Sequence, residues 1–361
     1  MRRNSGLWAA ACAVGLWACG STASEARPDE DLAAGLARLV AKHGVPSLSA
    51  VVVADGRVLD LAAAGEADPA SGREATVDTL YGLASCSKPF VGLLAAFAVT
   101  DGAVELDEDI NDVLEWPQPV RHPDHPDTPV TLRQLLTHRG GIAEDTAADY
   151  ETYPKPDPDQ PLGPFLQAFL AQPSGWADHA PGAAEAYSNP GVALAAHVLE
   201  VAEGQDLRAL SKARLFDPLG MKDTRWFYGD LSAEQKARHA VPVDDGGEPY
   251  EIYGFNDYPS GLLRSTARDL GRLLVALTRP GGALPAAVVQ AFQSTPMLIE
   301  VATGGGLTEY NHSGGEAGVN TYLAYRSDGV AYAWLCNGDL DDDALDALAA
   351  DLDALLLAQV E

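Results

Sequence analysis

Segments with the apolar pattern of β-strands lie near both ends of this 361-residue chain, and a long stretch of helical patterns separates them. The N-terminal pair of segments flanks Asp55-Gly56 and the C-terminal pair flanks Ser327-Asp328-Gly329, both typical of hairpin turns. Strands at both ends with helices between them predict that the chain ends meet in one antiparallel sheet. The strand segments are residues 48–53, 57–63, 319–326 and 330–336.

Helical patterns flank this predicted sheet and fill the middle of the chain. Leu32, Leu36 and Leu39 share one face of a first helix, and leucines between residues 345 and 356 share one face of a last helix. We therefore predict an α/β fold with one lobe from residues 31–85 and 250–361 and an inserted, mostly helical lobe from residues 86–249. A cleft between two lobes is the expected place for a ligand site.

The first residues have the pattern of an export signal. Arg2 and Arg3 precede an apolar run from Leu7 to Ala18, and small residues follow, which is the order of a secretory signal peptide. The run is too short to cross a bilayer as a mature helix. The sequence therefore predicts a signal peptide at residues 1–18, a tether at residues 19–30 and a folded, exported domain at residues 31–361.

Leu16-Trp17-Ala18-Cys19-Gly20 resembles the lipobox of bacterial lipoproteins. That resemblance implies lipid attachment at Cys19 and a periplasmic or cell-surface protein anchored to a bacterial membrane. Cleavage after Ala23, in Ser21-Thr22-Ala23, is the open alternative and would give a free secreted protein.

The charge and the cysteines limit the partners of the protein. A net charge of −28 excludes nucleic acid and anionic surfaces as partners, so a membrane contact is expected only through the lipid anchor. Once the signal and the anchor are set aside, Cys86 and Cys336 remain, and we expect two free thiols, with a bridge between them as the alternative. We predict a monomer.

Ser85-Cys86-Ser87-Lys88 places a hydroxyl three residues before a lysine at a predicted helix start. Residues three apart on a helix share a face. The positive potential of a helix N-terminus favours an alkoxide and disfavours the ammonium form of the lysine, so the pair is a candidate activated serine with its base. Taken alone, the same pattern also occurs by chance at an ordinary helix start.

Two further segments carry polar groups suited to acyl transfer. Tyr187-Ser188-Asn189-Pro190 lies immediately before a predicted helix, where Tyr187 could move a proton beside a cationic Lys88 and Asn189 could hold a substrate carbonyl. Asn311-His312-Ser313-Gly314-Gly315 lies just ahead of the late strands, where glycines allow close backbone approach to a ligand. Considered singly, the first segment is better explained by helix capping with a packed tyrosine, and the second by a turn.

Together, and in this order, the three segments resemble the serine β-lactamase and penicillin-binding protein (D-alanyl-D-alanine peptidase) superfamily, most closely its class C β-lactamase and esterase branch. The resemblance implies the α/β fold of β-lactamases and transpeptidases, with no cofactor. Other stretches that resemble this branch cover nearly the whole mature chain: Val45-Pro46 and residues 132–138, 216–221, 260–262 and 265–270.

The resemblance also implies roles for individual residues. Ser85 is the acylated nucleophile, and Lys88 and Tyr187 share general-base duty. The backbone N–H groups of Ser85 and Gly315 form the oxyanion hole. The implied reaction is acyl-enzyme hydrolysis of a small ester, amide or peptide, and a receptor or scaffold that does not turn over is the alternative. The remaining substrate-contacting residues implied by the resemblance are Asn189, His312, Ser313 and Gly314.

Two departures from the family pattern bear on the substrate. The β-lactamases proper have Lys-Thr-Gly in the third segment, where the lysine attracts a substrate carboxylate, and His312 stands in its place here. A histidine is only partly cationic near neutral pH, so we expect weaker recognition of a carboxylate-bearing lactam or peptide end. Arg139-Gly140-Gly141 stands where the family has Ser-Gly-Leu, with no effect that the sequence reveals.

Other hydrolase and metal-site patterns have little support. His122-Pro123-Asp124-His125 contains two possible ligands, but its Pro-rich surroundings predict a solvated loop with no metal. The chain contains no Gly-x-Ser-x-Gly elbow, which argues against a Ser-His-Asp hydrolase of the α/β-hydrolase type. It also lacks the Ser-Asp-Asn of class A β-lactamases.

Overall fold

Strands from the two ends of the chain form one seven-stranded antiparallel sheet. The computed structural model describes residues 30–144 and 155–360. The order in the sheet is β3-β2-β1-β9-β8-β7-β6, and β4 and β5 form a separate two-stranded ladder. The strands are β1 (Ser47–Ala54), β2 (Arg57–Asp68), β3 (Arg73–Glu74), β4 (Tyr81–Gly82), β5 (Arg264–Ser265), β6 (Glu300–Gly304), β7 (Leu307–Glu316), β8 (Val319–Arg326) and β9 (Ala331–Cys336).

Both faces of the sheet are covered by helices. Along β1, Leu48 and Val52 pack with the first and last helices, while Val51 and Val53 face the core shared with the middle of the chain. Successive side chains of a strand point to opposite faces, so a strand buried on both sides is apolar throughout. The helices are α1 (Leu32–His43), α2 (Lys88–Thr100), α3 (Asn111–Leu114), α4 (Leu132–Leu136), α5 (Leu162–Leu170), α6 (Asn189–Glu203), α7 (Leu207–Ser211), α8 (Asp217–Leu219), α9 (Ala233–Ala237), α10 (Ala267–Thr278), α11 (Ala286–Ser294) and α12 (Asp342–Ala358).

Helices α2 and α6 form the inside of the helical region. Residues Lys88 to Ala98 of α2 are all buried, as expected for a helix that is apolar on every side. Helix α6 begins after Ser188, whose side chain accepts a hydrogen bond from Gly191 N–H, and ends at Gly204 in the left-handed conformation. Both helices therefore start at segments that the sequence analysis singled out.

The predicted α/β fold, with its sheet built from both chain ends, is confirmed. The third segment is placed differently from the prediction, because Asn311 to Gly315 lies within β7 itself and β6 precedes it. The alternation of apolar residues that marks a strand is missing there, since β7 is rich in polar residues and glycine.

The prediction of a solvated loop at residues 122–125 is wrong for His122. Its ring is 1% exposed, packs 5.2 Å from the Trp176 ring, and makes a 2.8 Å hydrogen bond from Nε2 to Ala177 O. Cys86 and Cys336 are buried free thiols. No helix within the described ranges has the length and apolar character needed to cross a membrane. The predicted signal peptide and Cys19 lie outside the described residues.

Candidate active site

Ser85 lies on a short 3₁₀ turn, Ala84–Ser87, that leads directly into α2 at Lys88. The sequence predicted the start of a helix here, and the structure adds the tighter turn before it. Ser85 is partly exposed, whereas its neighbours Ala84 and Cys86 are buried. The turn therefore presents one hydroxyl to the outside from an otherwise buried stretch of chain.

Hydrogen bonds hold this turn from two sides. The Thr321 hydroxyl donates to Leu83 O at 2.7 Å, and Leu263 N–H donates to Ser87 Oγ at 3.1 Å. Ala84 has a φ of 47°, which is unfavourable for a residue with a Cβ and persists only where the surroundings enforce it. The turn before Ser85 is thus a strained conformation held by its neighbours.

Lys88 is fully buried and its ammonium group contacts Ser85. Nζ donates to Ser85 Oγ at 2.8 Å and to Ser260 O at 2.7 Å. Burial lowers the pKa of Lys88 to about 8, although the carboxylates of Glu144, Asp257 and Glu316 act in the opposite direction. A lysine with such a pKa can lose its proton near neutral pH.

Tyr187 contacts the same serine from the loop that immediately precedes α6. Its hydroxyl donates to Ser85 Oγ at 2.8 Å, and Lys88 Nζ lies 4.8 Å from the centre of its ring. Burial raises the pKa of Tyr187 well above its usual value, so the phenol is neutral. In the resting site Tyr187 is therefore a donor, and Lys88 is the better candidate for the base.

His138 positions Tyr187, a contact that the sequence analysis missed. The two rings stack 4.5 Å apart, Ser188 N–H donates to His138 Nδ1 at 3.2 Å, and Ala186 N–H donates to His138 O at 2.7 Å. Burial lowers the pKa of His138 to about 3, so the ring is neutral. In the sequence, the one indication of His138 was that residues 132–138 resemble a stretch of the family.

Asn189 lies at the site, but its side chain is engaged by a residue that the sequence analysis did not consider. Asn189 Nδ2 donates to Glu144 at 2.7 Å, and Asn189 N–H donates to the same carboxylate at 2.5 Å. Asn189 Oδ1 is buried with no hydrogen-bond partner in the described part of the chain. A substrate carbonyl would share the Asn189 amide group with Glu144.

Strand β7 packs directly against the Ser85 turn. A Cβ at Gly314 would overlap Leu83 O and Thr321 Oγ1, so this position requires glycine. His312 is 4% exposed, and burial with the nearby Lys88 charge lowers its pKa to about 3. The expected partial charge on His312 is therefore absent. Ser313 is partly exposed and Gly315 is exposed.

Two further carboxyl groups belong to the site and were missed. Asp257 is 1% exposed and accepts a 2.6 Å hydrogen bond from Ser260 Oγ, next to the carbonyl that binds Lys88. Glu316 follows Gly315 at the end of β7. Burial raises the pKa of both groups to about 7. Neither residue lies in a recognisable sequence motif. Their position beside Lys88 becomes visible only in the folded structure.

The described residues contain no group of three or more histidine, cysteine, aspartate or glutamate side chains arranged to hold a metal ion. The three sequence segments thus meet around one hydroxyl, flanked by a buried lysine and a neutral tyrosine. A family model described as Beta-lactamase matches residues 32–356. The chain belongs to the beta-lactamase family. The resemblance deduced from the three segments is confirmed by this match.

Members of the beta-lactamase family are serine hydrolases. Esterase EstB from Burkholderia gladioli is 31% identical over 276 residues, which cover 67% of this chain and 68% of EstB. The chain spans between 49% and 59% of the length of two other relatives that it matches.

Solved structures of beta-lactamase-family proteins share the fold. The octameric penicillin-binding protein homologue from Pyrococcus abyssi has a TM-score of 0.73 at 22% identity, over 89% of this chain and 75% of that chain. A class C beta-lactamase from Rhodobacter sphaeroides has a TM-score of 0.71 at 23% identity, over 90% of this chain and 98% of that chain.

Proposed function

We propose that this protein is an exported serine hydrolase that cleaves small esters and amides lacking a carboxylate, through an acyl-enzyme on Ser85. The observation that carries the proposal is the convergence on Ser85 Oγ of Lys88 Nζ and Tyr187 Oη, each 2.8 Å away. A serine beside a group that can accept its proton is the arrangement needed for nucleophilic catalysis. The relative EstB is named an esterase.

In the proposed reaction, neutral Lys88 takes the Ser85 proton while Oγ bonds to the substrate carbonyl carbon. The backbone N–H groups of Ser85 and Gly315 hold the resulting oxyanion. The bond from carbon to the leaving group then breaks, and the leaving group takes the proton from Lys88 with Tyr187 as relay. Water repeats the same steps on the acyl-enzyme, which releases the acid and restores Ser85.

The preference against carboxylate-bearing substrates rests on His312. The ring is buried and its pKa is lowered to about 3, so it carries no charge to attract a carboxylate. Among the described residues, Lys88 is the only cation whose charge acts on the pKa of His312, and its ammonium group donates to Ser85 and Ser260. Esters should therefore be better substrates than β-lactams or the carboxyl ends of D-alanyl peptides.

A turnover panel tests this function. Neutral nitrophenyl esters, a chromogenic cephalosporin and D-alanyl peptides are compared on wild type and Ser85→Ala. We expect the highest kcat/KM for the esters and none above background in the variant. A higher kcat/KM for the cephalosporin would overturn the substrate class. An acyl group that persists on Ser85 without turnover would favour the receptor alternative.

Export and a lipid anchor at Cys19 complete the proposal. The support is the order of charged, apolar and small residues at positions 1–18 and the lipobox-like Leu16-Trp17-Ala18-Cys19. Intact mass of the mature protein separates the alternatives. An acylated N-terminus at Cys19 is expected, and a free N-terminus at Ser24 would show a secreted form. The monomer stays a prediction, and one structural neighbour is octameric.

A further inference from the structure

Glu144 holds the first residue of α6 with both of its carboxylate oxygens. Oε2 accepts a 2.5 Å hydrogen bond from Asn189 N–H, and Oε1 accepts a 2.7 Å hydrogen bond from Asn189 Nδ2. The residue before Glu144 is tied to the same place, because Ala143 O accepts a 3.1 Å hydrogen bond from Ser188 Oγ. Two consecutive residues of one segment thus bind two consecutive residues of the other, so this contact is part of the fold.

The Glu144 carboxylate completes the start of α6. The first N–H groups of a helix have no partner within the helix, and the helix dipole stabilises an anion at this end. Gly191 N–H donates to Ser188 Oγ, and Pro190 has no N–H. Asn189 N–H, the remaining one, donates to Glu144. The first three residues of α6 therefore offer no backbone donor to a ligand.

Glu144 also fixes the direction of the Asn189 side-chain amide. A carboxylate accepts hydrogen bonds and does not donate them, so the NH₂ group, and not Oδ1, has to face Glu144. Asn189 Oδ1 is left buried with no hydrogen-bond partner in the described part of the chain. Because the amide group is planar, the second N–H of Nδ2 is held in the same plane. The direction of this amide is therefore set by the carboxylate and not by a ligand.

The pair of Glu144 and Asn189 lies beside the proposed nucleophile. Tyr187, two residues before Asn189, donates to Ser85 Oγ at 2.8 Å. Among the charges that raise the pKa of Lys88, that of Glu144 has the largest effect. Hydrogen bonds to an ionised acceptor are roughly twice as strong as those between neutral groups. A neutral carbonyl of the substrate therefore competes poorly with Glu144 for Asn189 Nδ2.

We propose that Glu144 is a specificity-determining residue, which occupies the Asn189 amide and keeps it from binding a carbonyl on the acyl part of the substrate. The favoured substrate class is an ester or amide whose acyl part is a plain hydrocarbon chain, with no second carbonyl near the one that Ser85 attacks. This inference rests on the proposed acyl-enzyme reaction at Ser85 and adds a preference for the acyl part.

Two uncharged methyl esters of equal chain length test the proposal. Methyl 4-oxopentanoate carries a carbonyl where methyl pentanoate carries a CH₂ group. Hydrolysis is followed by proton release on wild type, Glu144→Ala, Glu144→Gln and the double variant Glu144→Ala/Asn189→Ala. Glu316→Gln is the control, because Glu316 is another carboxylate that acts on Lys88 but makes no hydrogen bond to Asn189 in the described part of the chain.

We expect wild type to hydrolyse the oxo ester no faster than methyl pentanoate. In Glu144→Ala the ratio of kcat/KM for the oxo ester to that for methyl pentanoate should rise by roughly three- to tenfold, the scale of one net hydrogen bond. Glu144→Gln keeps an acceptor oxygen without the charge and should show a smaller rise. Glu316→Gln should keep the wild-type ratio. The double variant should lose the rise, because no amide remains at position 189 to bind the carbonyl.

A wild-type preference for the oxo ester, or an unchanged ratio in both Glu144 variants, would overturn the inference alone. An equal rise in Glu316→Gln or in the double variant would also overturn it, since the effect would then not pass through Asn189. If Glu144→Ala does not fold, the ratio in Glu144→Gln decides. Hydrolysis of neither ester by wild type above the Ser85→Ala rate would overturn the proposed function, and this inference with it.

Discussion

At Ser85 two hydrogen-bond donors converge on one oxygen, and they differ in how readily each loses its proton. The pKa of Lys88 is lowered to about 8, whereas the pKa of Tyr187 is raised by its burial. The same desolvation acts on both, but it disfavours an ammonium ion in one and a phenolate in the other. At the residue scale Lys88 is therefore the proposed base, and Tyr187 is the proposed donor and relay.

The first prediction concerns the proton on Lys88. Lys88→Arg keeps the positive charge but cannot be deprotonated, so kcat/KM for a neutral nitrophenyl ester should fall by roughly 10²–10⁴, the scale of losing a general base. The same change at Lys222, which is exposed, is the control and should leave the rate unchanged. A Lys88→Arg variant that keeps most of the wild-type rate would exclude this role.

The second prediction follows from the protonation state of the base. Only neutral Lys88 can accept the Ser85 proton, and its pKa is about 8, so kcat/KM should rise with pH and level off above that value. A pH series with a neutral ester measures the midpoint. A profile that is flat or falling between about pH 6 and pH 9 would be inconsistent with a lysine base.

At the element scale, β7 and β8 hold the Ser85 turn in its strained shape. Thr321 on β8 bonds Leu83 O, the Cys86 thiol donates to His312 O at 3.1 Å, and Gly314 packs where no Cβ fits. The proposed nucleophile, Ser85, is thus positioned by strands that lie more than 200 residues later in the chain.

The third prediction compares two adjacent glycines of β7. Gly314→Ala would press its Cβ into Leu83 O and the Thr321 hydroxyl, and should lower the free energy of unfolding by about 1–3 kcal/mol, the usual cost of overpacking. At Gly315 a Cβ meets only Asn320 Oδ1, at 4.0 Å, so Gly315→Ala should unfold like wild type. Urea unfolding of both variants makes the comparison, and equal stabilities would contradict this packing account.

The elements that were predictable from the sequence are those whose buried positions carry apolar residues, on one face of a helix or along a whole buried strand. The hairpin at residues 47–68, the strands at 319–336 and the helices at both ends were predicted because apolar residues mark their buried faces. Strand β7 was not predicted, because it is rich in glycine and polar residues. Gly314 of this strand packs against the backbone of the Ser85 turn, where no Cβ fits.

The residues of the candidate site also fall into a predicted group and a missed group. Ser85, Lys88 and Tyr187 were predicted because they belong to segments with a family pattern, and the structure brings them together. Glu144, Asp257 and Glu316 come from three separate loops or strand ends. Their importance arises from a shared position next to Lys88, which a single sequence does not encode locally.

At the scale of the whole molecule, two carboxyl groups lie where α12 packs on the sheet: Asp353 of α12, which is half-buried, and Glu309 of β7, which is buried. Burial and the nearby Glu309 carboxylate raise the pKa of Asp353 to about 7, although a hydrogen bond with Tyr332 acts in the opposite direction. Glu309 itself is 2% exposed and accepts a 3.2 Å hydrogen bond from the Tyr322 hydroxyl. The packing of α12 on the sheet is therefore sensitive to pH.

The fourth prediction gives the sign of that dependence. A carboxyl whose pKa is raised on folding binds more protons in the folded state, so its contribution to stability is lost as pH rises from about 4 to 7. The free energy of unfolding of Asp353→Asn should exceed that of wild type by an amount that grows from pH 5 to pH 8 and reaches at most about 4 kcal/mol. Urea unfolding at both pH values measures this, with Asp346→Asn, an exposed site on the same helix, as control. A difference that does not change with pH would contradict it.

We propose that the reaction of this protein passes through one acylated serine, Ser85. The most direct measurement is intact and peptide mass of the protein after brief reaction with an activated ester or a fluorophosphonate. We expect a single adduct, on the peptide containing Ser85, that is absent from Ser85→Ala and much slower to form in Lys88→Arg. Equal labelling of wild type and Ser85→Ala would contradict it.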